Sequence, residues 1–266
     1  MGEQYILELK TDQVVTFYES IDESVRLKRS NANQIEFLTT TEFLNRYIKA
    51  GDKLLDACAG AGIYAFYYAD RGLEVSVRDL VEKNIEEIKT NQAQHADLVD
   101  IQKGSILNLG EFDDETFDVV LNMGAYYHLT DKEQRVAAIE ESLRVLKSGG
   151  IYALAYVNRH ANTYKFLDMF TDDFELLEVY YELGYHSKNK VFFSASPEQV
   201  EDELRLFDVE VLNHVGTDGM KYFIKDKVNA FNENDFSKWM QFHFKTCEER
   251  SSLGSSEHGL IILRKK

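Results

Sequence analysis

Short apolar runs alternate with amphipathic stretches between residues 51 and 158. The apolar runs are four to seven residues long, which is the length typical of buried strands. Amphipathic stretches with apolar residues at helical spacing separate them. Strands that alternate with helices over tight turns predict right-handed βαβ units and a parallel sheet covered on both faces. The predicted strands are KLLDACA, LEVSVRD, the start of VDIQKGSIL, FDVVLNM and IYALAYV.

The helix that precedes IYALAYV has predictable ends. Thr130 and, three residues later, Glu133 form the pattern of a capping box, which places the start of the helix here. Ser148-Gly149-Gly150 predicts its end. Its apolar face consists of Val136, Ile139, Leu143 and Leu146.

The pattern changes on both sides of this core. Residues 1–50 contain helical periodicity and predict an N-terminal helical cap. Residues 159–205 are helical and rich in aromatic side chains, which predicts an insertion or lid after the fifth strand. Residues 206–266 contain two further strand patterns, VEVLNHVG and HGLIILRKK. We therefore expect one domain over residues 1–266, with residues 51–158 as its cofactor-binding core.

Charge and cysteine content narrow the partners and the compartment. The chain of 266 residues has a formal net charge of −16, so a nucleic-acid backbone is not expected as its main partner. Cys58 and Cys247 cannot form a disulfide framework, which favours a reducing compartment. The start, MGEQYILELKTDQ, does not have the pattern of a signal peptide, and no apolar run is long enough for a bilayer. We expect a cytoplasmic protein without a membrane partner.

The turn after the first strand, in LLDACAGAGIYA, is the main candidate for ligand binding. Gly60 and Gly62 lie where a helix begins, and backbone N–H groups at a helix N-terminus attract anionic or polar ligands. Asp79 ends the next strand, 19 residues after Gly60, where an acid can accept hydrogen bonds from ribose hydroxyls. That spacing fits a nicotinamide dinucleotide as well as a nucleoside sulfonium, and a plain strand–helix turn is a third interpretation.

Further motifs reduce these alternatives. The segments LLDACAGAG, LNMGAYYHL, RVLKSGGIYALAYVNR, RLKRSNANQIEF and LGSSEHGLIILRKK together resemble the class I S-adenosylmethionine-dependent methyltransferases. LNMGAYYHL is similar to a Gly-Pro-Leu-Tyr-His-Leu signature of a bacterial small-molecule-type subgroup. Cys58, Ser105 and Ala125 depart from the usual glycine, aspartate and proline of these motifs. The resemblance implies an α/β, Rossmann-like, doubly wound fold with a mostly parallel seven-stranded sheet whose last strand is antiparallel.

The resemblance also implies a set of cofactor-binding residues. Gly60 and Gly62 would pass under the methionine part of S-adenosylmethionine, and Asp56 would lie near its amino group. Arg26 is a candidate for the methionine carboxylate. The other implied cofactor-binding residues are Ala57, Asp79 and Leu80, with Asp79 on the ribose, Ser105 and Ile106 beside the adenine, and Asn122 and Met123 at the sulfonium.

The predicted chemistry is methyl transfer to a small-molecule acceptor, with S-adenosylhomocysteine as the product. An acceptor that loses a proton needs a general base, and histidine titrates near neutrality. His128, beside Tyr127, is the first candidate and His258 the second; a structural histidine is the alternative for each. No metal-ligand spacing occurs, so we expect no metal. An NAD-dependent reductase and a non-catalytic S-adenosylmethionine-binding protein remain as alternative functions.

Overall fold

A computed structural model describes residues 12–21, 26–171, 173–185 and 191–266. Residues 12–19 are helical. The features that the sequence assigns to the first eleven residues, including the absence of a targeting signal, lie outside the described residues. Within the described ranges, no helix has the length and apolar character needed to cross a membrane.

One sheet organises the described chain. Its strands run in the order β3-β2-β1-β4-β5-β8-β7, and β1 to β5 are parallel. The last strand, β8, runs antiparallel between β5 and β7, so the predicted α/β fold with a reversed final strand is confirmed. A short additional strand, β6, pairs with the end of β5 and brings the total among the described residues to eight rather than seven. The strands are β1 Lys53–Asp56, β2 Glu74–Asp79, β3 Asp100–Lys103, β4 Phe117–Asn122, β5 Leu146–Asn158, β6 Ser194–Ala195, β7 Val209–Gly216 and β8 His258–Lys265.

Helices cover both faces of this sheet and its carboxyl edge. The first three follow the cap and the first two strands: α1 Asn31–Leu44, α2 Ile63–Ala69 and α3 Glu82–Asn91. The next four are α4 Lys132–Val145, α5 Arg159–Lys165, α6 Phe174–Leu183 and α7 Pro197–Leu204. Three more lie between β7 and β8, where the sequence interpretation named only strands: α8 Lys221–Asn229, α9 Glu233–Thr246 and α10 Arg250–Leu253.

Two apolar layers enclose the sheet because successive strand residues point to opposite faces. Leu54 in β1 packs into one layer with α2 and α3, and its neighbour Leu55 packs into the other with α4. Both leucines are fully buried. The strand order changes direction between β1 and β4, and ligands of such sheets bind beyond the strand ends at this switch point.

The start of α4 differs from the predicted capping box. Asp131, not Thr130, occupies the N-cap, and the buried hydroxyl of Thr130 meets no hydrogen-bond partner in the described part of the chain. The helix is instead anchored by Arg135, which bonds the carbonyls of Leu129 and Thr130. The guanidinium in the first turn thus satisfies two carbonyl groups of the preceding loop, whereas the threonine was predicted to accept from backbone N–H groups of the helix.

Candidate active site

The two glycines after β1 have different structural roles. Gly60 (φ 54°) and Gly62 (φ 78°) both adopt left-handed backbone conformations that favour glycine. A side chain at Gly62 would come within 2.9 Å of Ile88, so this residue allows α2 to pack against α3. A side chain at Gly60 would meet nothing within 4 Å, because Gly60 borders an open cavity. Only Gly60 therefore presents its backbone to a ligand.

Asp79 holds this loop in place from the end of β2. Its carboxylate accepts hydrogen bonds from the backbone N–H of Gly60 and of Val81, each at 2.8 Å, and from the side-chain amide of Asn84 at 3.0 Å. Burial raises the pKa of Asp79, and these three donors work against that shift. Asp79 is therefore a brace for the glycine loop as well as part of the cavity wall.

Asp56 is the most unusual group in the cavity. Its side chain is almost completely buried at the end of β1, and neither carboxylate oxygen has a hydrogen-bond partner among the described residues. Burial, with the charge of Asp79, raises the pKa of Asp56 to about 7. A buried carboxylate without partners costs free energy unless a cationic or hydrogen-bonding ligand meets it. An ammonium group fits this requirement.

The cavity brings together most of the residues that the resemblance implied. Three of the predicted site residues do not line it: Gly62, Asn122 and His258. Gly62 packs under α2, and Asn122 is fully buried, where its amide bonds Tyr152 and the backbone of Tyr126. The implied residues that line the cavity are Arg26, Asp56, Ala57, Gly60, Asp79, Leu80, Ser105, Ile106, Met123, Tyr127 and His128.

Cys58 links the glycine loop to the loop after β4. Its sulfur accepts a hydrogen bond from the backbone N–H of Ala125 at 3.4 Å. A side chain at Gly124 would lie 3.5 Å from the same sulfur. Burial raises the pKa of the Cys58 thiol, so it stays protonated. The residue that replaces the usual glycine is thus a packing contact between two cavity loops.

His128 is held at both ring nitrogens. Its Nδ1 lies 2.7 Å from the carbonyl oxygen of Val191 and donates its proton there, so Nε2 accepts from the hydroxyl of Tyr18 at 2.8 Å. Burial lowers the pKa of His128 to about 4. The neighbouring Tyr127 donates its hydroxyl proton to the carbonyl of Met123. His128 is therefore neutral and hydrogen-bonded at both ring nitrogens, and its bond to Tyr18 holds residues 12–21 over the cavity.

His258 is not in this first cavity. It lines a second cavity of about 500 Å³ that shares Tyr18, Arg26, Leu27 and Tyr127 with the first. Nδ1 of His258 lies 2.8 Å from the carboxylate of Asp218, while Nε2 forms no hydrogen bond with the described part of the chain. The charges of Glu36 and Asp218 outweigh burial and raise the pKa of His258. A carboxylate behind one nitrogen leaves the other available as a base.

A network of ion pairs surrounds His258. Arg26 forms two hydrogen bonds with Glu36, at 2.8 and 3.2 Å, and this contact outweighs burial to lower the pKa of Glu36 to about 2. Lys221 lies 2.8 Å from Asp218. Ligand atoms of Glu36, Asp218 and His258 lie within 4.8 Å of one another, as in a metal site. Because Arg26 and Lys221 already neutralise both carboxylates, the cluster is a salt-bridge network.

Sequence reasoning missed the partners in this network. Glu36 lies in α1 and Asp218 in the turn after β7, far apart in the chain. No motif marks either residue, and only the docking of α1 beside the start of β8 brings them to His258. Tyr18 was missed for the same reason, since its contact with His128 joins residues 110 positions apart.

The fold and this cavity at the switch point define the class of protein. The reversed final strand, the glycine loop after β1 and the acid after β2 are those of Rossmann-like methyltransferases. Residues 55–154 match the family described as "Methyltransferase domain". This region is therefore similar to a methyltransferase domain, and the sheet that surrounds it has the fold of class I methyltransferases.

Known proteins agree with this assignment. A "Ubiquinone biosynthesis O-methyltransferase" of Mesorhizobium japonicum is 30% identical over 166 residues, which are 62% of this chain and 63% of that protein. The chain thus spans less than two thirds of the length of this relative. A structure described as S-adenosylmethionine-dependent methyltransferase from Methanosarcina mazei has a TM-score of 0.57 at 17% identity, covering 84% of this chain and 96% of that one. The "[4+2]-Cyclase SpnF" has a TM-score of 0.54 at 16% identity, covering 86% and 80%.

Proposed function

We propose that this chain transfers the methyl group of S-adenosylmethionine to a hydroxyl of a small-molecule acceptor by in-line displacement. The observation that carries the proposal is the buried, partnerless carboxylate of Asp56 in a glycine-loop cavity that opens into a second cavity. A hydroxyl acceptor is supported by the relatives, which are named as O-methyltransferases.

The first cavity would hold the cofactor. Asp56 would accept from its ammonium group, and the backbone of Gly60 would pass beneath its methionine part. Asp79 would face its ribose, with Leu80, Ser105 and Ile106 around the adenine. Arg26 is committed to Glu36, so we assign it to the border of the two cavities rather than to the methionine carboxylate. Asn122 and Gly62 support the loops from behind.

The cofactor supplies an electrophilic methyl group on a good leaving group, so the chain contributes mainly position and exclusion of water. Residues 12–21 cover the cavities. They are held there by the hydrogen bond between Tyr18 and His128 and by Lys83, which donates to the carbonyl oxygens of Glu19 and Ile21. This cover would keep water from the methyl group and hold the acceptor beside it.

His258 is the better candidate for the general base. His128 has a lowered pKa and both nitrogens engaged, whereas His258 has a raised pKa, a carboxylate at Nδ1 and a free Nε2 in the second cavity. Asp218 would hold His258 in the tautomer that accepts at Nε2 and would stabilise the imidazolium after proton transfer. Tyr127 and His128 then shape the passage between the cavities.

A turnover assay tests the proposal. The full chain is incubated with S-adenosylmethionine and a panel of phenols and aliphatic alcohols, and S-adenosylhomocysteine is measured. We expect turnover with at least one acceptor, rising with pH as His258 loses its proton, and a loss of about 100-fold in His258→Asn. Cofactor binding without turnover on any acceptor would favour the non-catalytic alternative, since one fold can serve more than one function.

A further inference from the structure

The second cavity has an unusual charge for this chain. Its walls carry four cationic side chains and two carboxylates, while the chain as a whole has a formal charge of −16. The two carboxylates are Glu36 and Glu257. Even with the buried carboxylate of Asp218 behind Lys221 counted, the described residues leave more cations than carboxylates at this cavity, and such a region attracts anions. The cations are Arg26, Lys165, Lys221 and Lys225.

The lysines converge from two helices. Lys221 and Lys225 are four residues apart in α8 and so lie on one helix face, and Asn229 extends the same face by four more residues. Lys165 reaches the cavity from α5. Lys165 pairs with Glu257, whereas Lys221 pairs with Asp218 at 2.8 Å and lies 3.9 Å from Glu257. An ammonium group has three donors, so both lysines keep donors for a further anion.

Lys225 has no carboxylate partner in the part of the chain that the structure describes. Its only interaction among the described residues is with the ring of Tyr222, 5.7 Å away, and it lies exposed at the rim of the cavity. The lysine beside it on α8, Lys227, is also exposed but does not line the cavity. Lys225 is therefore a cation available to a ligand, and Lys227 is its natural control.

Aromatic side chains form the rest of the wall. The ring of Tyr127 is nearly parallel to that of Phe192, with an angle of 18° between their planes and 6.3 Å between centroids. Phe17 packs edge-on against Phe192. A volume of about 500 Å³ lies in the range of small-molecule sites. Flat, apolar walls of this kind favour a planar ring over an extended polar chain.

We infer that the acceptor is an aromatic hydroxy compound bearing an oxyanion, with its hydroxyl beside His258 and its oxyanion at Lys225 and Lys165. The inference rests on the proposed methyl transfer and narrows its acceptor class. A carboxylate and a phosphate monoester offer the same oxygens to the lysines, so both belong to this class. An extended apolar acceptor without an anion would leave Lys225 without a function.

Paired probes test this inference in the full chain saturated with S-adenosylhomocysteine. The first pair is 3,4-dihydroxybenzoate and its methyl ester, and the second is 3-hydroxyphenyl phosphate and resorcinol; binding is measured by calorimetry. We expect at least one anion to bind about tenfold more tightly than its neutral partner, and the preferred pair identifies the oxyanion. Equal affinities within both pairs, or no binding of any probe, would overturn the inference.

Two variants test whether Lys225 is the residue that binds the oxyanion. Lys225→Met should weaken the preferred anion about fivefold without changing the affinity of its neutral partner, since only the charge contact is lost. Lys227→Met should behave as the unaltered chain. Identical anion affinities in the two variants would contradict the assignment of Lys225.

Binding of S-adenosylhomocysteine is titrated beforehand in the ligand-free chain and in both variants. No binding to the unaltered chain would refute the proposed function, whereas normal binding with no anion preference would refute only the acceptor class.

Discussion

Residues of the glycine loop have different roles: one glycine allows two helices to pack, and the other borders the cavity. Gly60 and Gly62 look equivalent in the sequence, yet only Gly60 borders the cavity. Strand-end position was sufficient to predict that Asp56 and Asp79 lie at the same edge of the sheet, because parallel strands end there together; their roles in binding remain predictions. The sequence could not show that Asp79 braces Gly60 or that Asn122 turns inward, since both depend on which partners the loops bring near.

The two glycines therefore give different variants. Gly60→Val should lower the affinity for S-adenosylhomocysteine at least tenfold, because its side chain projects into the cavity. Gly62→Val should mainly lower stability, because its side chain collides with Ile88 at the α2–α3 contact. Calorimetric titration and thermal unfolding of both variants separate the two effects. Equal loss of binding at equal stability would contradict this division.

Asp56 gives the cofactor affinity a pH dependence. Its pKa is about 7 in the folded chain and near 3.8 when exposed, so ionisation in the folded state is unfavourable. The folded state thus gains stability from Asp56 below about pH 4 and loses it as the pH rises towards 7. An ammonium ligand needs the ionised carboxylate, so affinity should rise as the pH passes through 7.

Asp56→Asn tests this assignment. The variant should bind S-adenosylhomocysteine about tenfold more weakly at pH 8, and its affinity should change little with pH, because the titrating group is gone. Titrations at pH 6, 7 and 8 provide the measurement, with the unaltered chain as reference. A variant that keeps the rise in affinity would show that another group controls it.

At the scale of elements, the sequence predicted the strands of the sheet, and the reversed direction of the last one, better than the segments that cover the site. Strands of the core are marked by continuous apolar runs, and β8 was recognised in HGLIILRKK. Helices α8 to α10 were not predicted, because their buried faces are narrow: Met240 and His243 are the buried residues of α9. The cover formed by residues 12–21 depends on contacts across the whole chain, which periodicity cannot show.

Tyr18 is the residue through which this cover is best tested. Tyr18→Phe removes the hydrogen bond to Nε2 of His128, a contact worth about 1 kcal/mol. We expect faster hydrogen exchange in residues 12–21 and an about fivefold faster release of S-adenosylhomocysteine, measured by stopped-flow. Tyr164→Phe, at an exposed site in α5, is the control. Unchanged hydrogen exchange and unchanged release of S-adenosylhomocysteine in Tyr18→Phe would show that residues 12–21 do not act as a cover held by Tyr18.

For the whole molecule, a buried ion pair joins the insertion to the core. Glu203 in α7 accepts from Arg135 in α4 at 2.7 and 3.0 Å and from the hydroxyl of Tyr126 at 2.8 Å. Side chains of the pair are 4% exposed each. Single-domain organisation over residues 1–266 remains a prediction, and this contact is the physical reason to expect it.

Glu203→Ala should reveal whether the insertion and core unfold together. Leaving Arg135 buried without its acid should lower the free energy of unfolding by about 3–5 kcal/mol. Asp202→Ala breaks the exposed pair with Arg205 and should change it by less than about 0.5 kcal/mol. Urea unfolding should show one transition in both variants. Two separate transitions would mean that residues 159–205 fold as an independent unit.

We propose that the cavity at the loop after β1 binds S-adenosylmethionine. Binding can be measured by calorimetric titration of the full chain with S-adenosylhomocysteine and, in parallel, with NADH. We expect one binding site for S-adenosylhomocysteine, weakened at least tenfold in Gly60→Val, and no heat from NADH. Binding of NADH together with no binding of S-adenosylhomocysteine would show that the cavity is not a site for S-adenosylmethionine.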